Sequence, residues 1–229
     1  MCLHIEKSTR VPNGIGSLTS LEELSILCID NDSMNIIQQL SNLVELRVLP
    51  MQAAKGPEAE LQLPCCWFST LPDWINPSLH LDLSFLWISV RELQQKDLDI
   101  LGMLPALRFL DLKVEHKNLG TPKKFTIGAC SFQYLVWCEL HGFGGHVVFR
   151  QGAMPRLTSL SFEFPVREAR EIASSEGGFD LSLGNLPSLQ RVIISFLSEG
   201  ASVGELQEAK ALVRHEAEIH PNNPTVWIP

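Results

Sequence analysis

The chain of 229 residues contains a single tyrosine, and no apolar run approaches the ~18 to 20 residues that a membrane-spanning helix requires. None of its six cysteines is spaced as a CxxC pair. The adjacent Cys65 and Cys66 point apart in an extended chain, a poor geometry for one zinc ion. "MCLHIEKSTR" has no apolar stretch behind its charges, so the expectation is a cytoplasmic protein with reduced thiols rather than a secreted disulfide scaffold. The net charge is −8 and no lysine/arginine block exceeds the pair Lys123-Lys124, which disfavours sequence-independent binding to nucleic acid.

Chemistry is missing too. There is no GxxxxGK[ST] phosphate loop and no GxSxG elbow. "HEAEIH" (215–220) sets its histidines five apart, roughly 140° around a helix at ~100° per residue, which reads as a surface pair rather than a zinc-protease motif. "GFGGHVVF" (142–149) is a glycine turn without the Lys-Ser/Thr that a phosphate cradle needs. Cys138 falls at a core position, and His141 points the other way along an extended chain. No enzyme, cofactor or metal is expected.

What is present is leucine, 35 of them in a chain that is 45% hydrophobic. A pattern LxxLxxLxL recurs in "LTSLEELSI" (18–26), "LSNLVELRV" (40–48), the shortened "LHLDL" (79–83), "LPALRFLDL" (104–112), "FQYLVWCEL" (132–140), "MPRLTSLSF" (154–162) and "LPSLQRVII" (186–194). The first apolar residues of the closing pairs are Leu24, Leu46, Leu81, Leu110, Cys138, Leu160 and Val192, with spacings of 22, 35, 29, 28, 22 and 32 residues. A three-residue step gives way to a two-residue step where the chain leaves a turn and enters a strand. A helix through the same leucines would have to pass Pro105 and Pro187, at the cost of a hydrogen bond and a clash.

The pattern predicts an α/β fold: an irregular leucine-rich repeat solenoid, a horseshoe with short parallel strands on its concave side and a C-terminal capping helix. The usual repeat carries Asn or Cys three residues past the closing position; here those places hold Ile29, Met51, Leu86, Glu115, Phe143, Pro165 and Leu197, so no asparagine ladder is expected. The array spans 1–197 in about seven coils, with insertions at 52–76, 115–131 and 165–182. Trp67, Phe68 and Trp74 should anchor the first insertion, and "REAREIASSEGGFD" (167–180) reads as a short helix. Residues 198–229 form the cap and tail. Its helix, about 203–219, starts at a Ser202/Glu205 capping box and buries Val203, Leu206, Ala209, Val213 and Ala217. The first coil has no equivalent cap, so the chain is expected to derive from something longer.

Alternation then selects the residues that flank the inward leucines and face a partner protein. The candidate binding set is Glu45, Arg47, Asp82, Phe109, Asp111, Lys113, Trp137, Glu139, His141, Ser161 and Glu163, and His80 is placed on the same face. Phe109 and Trp137 are large apolar groups on neighbouring coils, and the carboxylates make the face acidic.

"GIGSLTSLEELSI", "LGMLPALRFLDLKV", "GAMPRLTSLSFEF" and "LGNLPSLQRVIISFLSEGAS", with the closing "HPNNPT", resemble the C-terminal leucine-rich repeat region of grass nucleotide-binding leucine-rich repeat disease-resistance proteins. That resemblance implies the recognition and regulatory part of an intracellular immune receptor. It would bind a pathogen effector or a guarded host protein and restrain a nucleotide-binding switch that is absent here. Two other readings share the repeat: an interaction adaptor such as a ubiquitin-ligase substrate recruiter, and a truncated decoy.

Overall fold

The computed structural model describes residues 2–4, 14–25, 39, 42–43, 45–50, 67–115, 125–143, 147–167 and 182–228. The 167–180 helix expectation and most of the three insertions fall outside them.

The described residues form a mixed α/β arrangement dominated by parallel strands. The main sheet has nine: β1 (Cys2–His4), β2 (Glu23–Ser25), β3 (Val48–Pro50), β4 (Phe85–Val90), β5 (Phe109–Val114), β7 (Trp137–His141), β9 (Ser159–Pro165), β10 (Arg191–Leu197) and β11 (Thr225–Trp227). They lie side by side in chain order, all parallel. Two further strands, β6 (Phe125–Ile127) and β8 (Val147–Phe149), follow β5 and β7 and pair into a second small parallel sheet. The helices are α1 (Gln95–Gly102) and α2 (Val203–Ile219), with 3-10 turns at Ile15–Ser17 and Leu183–Asn185.

A three-residue step leads into β5, β7 and β10. Leu104, Leu107 and Leu110 are all buried, as are Leu186, Leu189 and Val192, and Phe132, Leu135 and Cys138. From the third of these the alternation takes over: Leu110, Leu112 and Val114 are buried while Phe109, Asp111 and Lys113 are not. These side chains merge into one continuous apolar cluster running from Ile15 to Val213. At roughly 1.5 to 3 kcal/mol for each large aliphatic group buried, this cluster is the main stabilising contribution.

A backbone ladder runs through the residues that lead into the strands. The amide of Arg47 donates to Glu22, Ser84 to Arg47, Arg108 to Ser84, Val136 to Arg108, Thr158 to Val136 and Gln190 to Thr158, at 2.8 to 2.9 Å. From Arg47 to Thr158 the accepting carbonyl also takes the amide of the next residue in the following repeat, which fixes each unit on its predecessor.

Four expectations are corrected. The strand assigned to 79–83 lies at Phe85–Val90 instead. Asn76 accepts from the amides of Leu79 and His80, which holds that stretch in turns and leaves Leu81 61% exposed. The inward residues there are Leu83, Leu86, Ile88 and Val90. In the second repeat Leu46 is buried but precedes the strand, and the residue in register with Leu86 is Leu49. The sheet also extends beyond the seven expected strands, with β1 ahead of them and β11 after α2. Finally, Val203 is exposed, so the buried stripe of α2 is centred on Val213 and Ala217.

Both helices start at side-chain caps. Gln94 and Asp97 cap α1 reciprocally, and Ser202 Oγ accepts from Glu205 N at 3.2 Å while Glu205 accepts from Ser202 N at 2.7 Å. The expected anchoring of the first insertion is visible at its described end. Phe68 bridges to Val90, and Trp74 is buried.

Candidate protein-binding face

The face of the main sheet opposite the leucines presents three rows. Parallel register aligns Phe85, Phe109, Trp137, Ser159 and Arg191 in the first, and Trp87, Asp111, Glu139, Ser161 and Ile193 in the second. Ser89, Lys113 and His141 begin the third, and Glu163 and Ser195 continue it on β9 and β10.

The first row is aromatic. Phe85 and Phe109 stack with centroids 4.4 Å apart and planes 4° from parallel, and Phe85 lies 6.0 Å from Trp87 at 11°. Trp137 is the next register partner of Phe109. All four are half-buried, as side chains on an open sheet face should be. Beyond the row, Lys113 Nζ sits 5.9 Å from the Trp67 ring, a cation–π contact that joins the insertion to the face.

The second and third rows bring charged groups together on β5, β7 and β9. His141 Nε2 is 2.8 Å from Glu139 Oε1 and 3.9 Å from Asp111 Oδ1, and His141 Nδ1 is 3.2 Å from Glu163 Oε1. The other oxygen of Glu163 accepts the Gly142 amide at 2.7 Å. Hydrogen bonds to Glu139 and then Glu163 push the His141 pKa up to about 9 against the opposing effect of burial. The same contact with His141 holds the Glu163 carboxyl below its usual range. Cys138 behaves oppositely: burial first, then the charges of Asp111 and Glu139, raise its thiol far above neutrality. With Cys138 fully inward and His141 outward, these two do not form a nucleophile and base.

Eight of the candidate residues, Phe109 through Glu163, therefore share one face. Ser161 faces outward in register yet is only 9% exposed, because its short side chain sits below its neighbours. Glu45, Arg47 and Asp82 do not join them. Glu45 and Asp82 lie in turns, and Arg47 immediately precedes β3, where it makes an exposed 3.6 Å ion pair with Glu22. Such pairs contribute ~0 to 1 kcal/mol. His80 is not on the face either: it is 0% exposed and occupies a leucine position, with Nε2 2.8 Å from Trp74 O.

Comparison with known proteins places this geometry. The chain matches the leucine-rich repeat region family over residues 1–63 and 57–226. The chain belongs to that family. It is 28% identical over 213 residues to the disease resistance protein RGA5 of Oryza sativa subsp. japonica, covering 92% of this chain and 18% of that protein. Disease resistance proteins Pikm1-TS and Piks-1 of the same rice each match at 28% over 138 residues, 58% of this chain and 11% of theirs. The chain thus spans less than a fifth of these relatives, and its resemblance to grass disease-resistance proteins stands. No helix among the described residues is long and apolar enough to cross a membrane.

Reading leucines alone missed two members of this leucine-rich repeat face, Phe85 and Trp87. The signal was available: "SFLWISV" alternates, and Leu83 to Leu86 continues the three-residue step that Leu81 breaks.

Proposed function

We propose that this leucine-rich repeat region is the recognition and regulatory part of an intracellular plant immune receptor. In this reading the main sheet lines the concave side of an irregular horseshoe, residues 1–197 form the array, and α2 with β11 caps its end. The partner is a protein: an effector, a guarded host protein, or the nucleotide-binding module of the same receptor. It docks on the face carrying Phe85, Trp87, Phe109 and Trp137, with Asp111, Glu139 and Glu163 beside them meeting basic groups. The site is a cytoplasmic, non-catalytic binding surface.

The observation that carries the reading is the run of register-aligned aromatics Phe85, Phe109 and Trp137, half-buried on the outward face of the sheet, in a chain whose relatives are disease resistance proteins. Half-buried aromatic anchors on a rigid sheet lose little side-chain freedom on binding, which favours them as contact residues. Its test is co-expression in leaf tissue with the nucleotide-binding module of a rice disease-resistance protein. The wild-type chain should co-purify with the module and suppress the cell death it triggers. Phe109→Ala with Trp137→Ala should lose both effects while melting like the wild type. Undiminished association in that variant would sink the proposal.

A further inference from the structure

We propose that Asp111, Glu139 and His141 form a binding site for a divalent transition-metal ion of the zinc class on the outward face of β5 and β7. Asp111 and Glu139 are register partners on adjacent strands, and His141 follows Glu139 by two residues on the same face. One ligand atom from each lies within 4.8 Å of the other two. An ion held among these three side chains meets an imidazole nitrogen and two carboxylate oxygens. That donor set suits zinc, cobalt or nickel; calcium and magnesium take shells of oxygen alone.

The surroundings are those of a metal-bound imidazole. Such a histidine donates its second N–H to a carboxylate or carbonyl, which fixes the tautomer and aims the other nitrogen at the ion. Here Nδ1 meets Glu163, and Glu163 is itself held by the Gly142 amide on its second oxygen. The backbone that presents this amide is committed to glycine, with φ of +68° and an added Cβ falling 1.9 Å from Val114 O. Ligands and supporting carboxylate come from three adjacent strands of one sheet, so their spacing is set by backbone hydrogen bonds. The four side chains are 19 to 28% exposed, enough for an ion to enter.

The test is calorimetric titration of Zn2+ into the full chain in a chelator-stripped, non-coordinating buffer, with Co2+ visible absorption reporting the coordination. One ion per chain is expected, with Ca2+ and Mg2+ far weaker. His141→Ala should abolish binding, Glu163→Gln should weaken it ~10- to 100-fold as a supporting group does, and His215→Ala should leave it unchanged. Because His141→Ala removes several polar contacts at once, Asp111→Asn carries the same reading with less risk to the fold. Absence of saturable Zn2+ binding, or binding retained in these two variants, overturns the site. No second protein enters the titration, so its outcome is independent of the partner-binding proposal.

Discussion

His220 Nε2 lies 3.1 Å from the carbonyl oxygen of Leu186, thirty-four residues earlier, with the imidazole 3% exposed. The amide of Asn222 donates to Nδ1 at 3.1 Å, so Nε2 carries the proton and donates to Leu186. The Asn222 side chain donates in turn to the carbonyls of Pro187 and Leu189. "HPNN" is therefore a polar clasp between the end of α2 and the turn of the last repeat, and His220 is not half of a surface pair. His220→Ala should cost about 1 to 3 kcal/mol, since it strands buried partners. The exposed His215→Ala should stay within ~0.5 kcal/mol. Urea melts of both variants check this; equal midpoints would contradict the clasp.

The strand register in the third repeat makes a sharp contrast. Leu86→Ala should cost about 2 to 5 kcal/mol, as should Leu110→Ala, because each empties an interior position. Leu81→Ala should cost under ~0.5 kcal/mol. Thermal denaturation that ranked Leu81 with Leu86 would restore the earlier assignment of 79–83 as the strand.

His80 sets an acid limit on stability. Burial lowers its pKa below 6.5, against a smaller raising effect from its bond to Trp74 O. Its Nδ1 and the Trp74 indole nitrogen are both buried without a hydrogen-bond partner among the described residues. The folded state thus resists taking up a proton that the unfolded chain accepts below pH ~6.5. The stability is fully present above that pH and declines as pH falls below it. Replacing the imidazole, as in His80→Leu, should flatten the stability profile between pH 7 and 5. A parallel profile for wild type and variant would rule this source out.

Gly142→Ala should destabilise strongly. Left-handed φ alone costs on the order of 1 kcal/mol, and here the new methyl also collides with Val114 O. Gly152 has φ of +84° but nothing within 4 Å of an added Cβ, so Gly152→Ala should show the conformational cost only. Chemical denaturation of the pair separates the two contributions, and similar losses would deny the close approach.

Much of the fold was legible because leucine spacing encodes it. Leu104, Leu107 and Leu110 show the change of step directly, and Ser202 with Glu205 announces α2. The missed features have definite reasons. Leu79 and Leu81 imitate a strand pair, yet Asn76 accepts from the amides of Leu79 and His80 and holds the stretch in turns. β1 and β11 are three residues long, too short to display alternation. α1 begins in "QKDLDIL", where polar residues dilute its inward Leu98 and Leu101. The link between His141 and Glu163 spans two strands and follows from register, a property of pairs of segments that no single segment displays. His80 defeated the pattern outright, since a histidine in a leucine's place is recognisable only once its Trp74 partner is seen.

Each strand of the main sheet pairs with the main-sheet strands that precede and follow it in chain order. A gene segment encoding one unit can therefore be duplicated, lost or exchanged, and the units on either side still meet a surface of the same kind. The aromatic and charged rows can then be recombined among paralogues without redesigning the interior. Such a scaffold lets the outward-facing rows diversify faster than the framework that supports them.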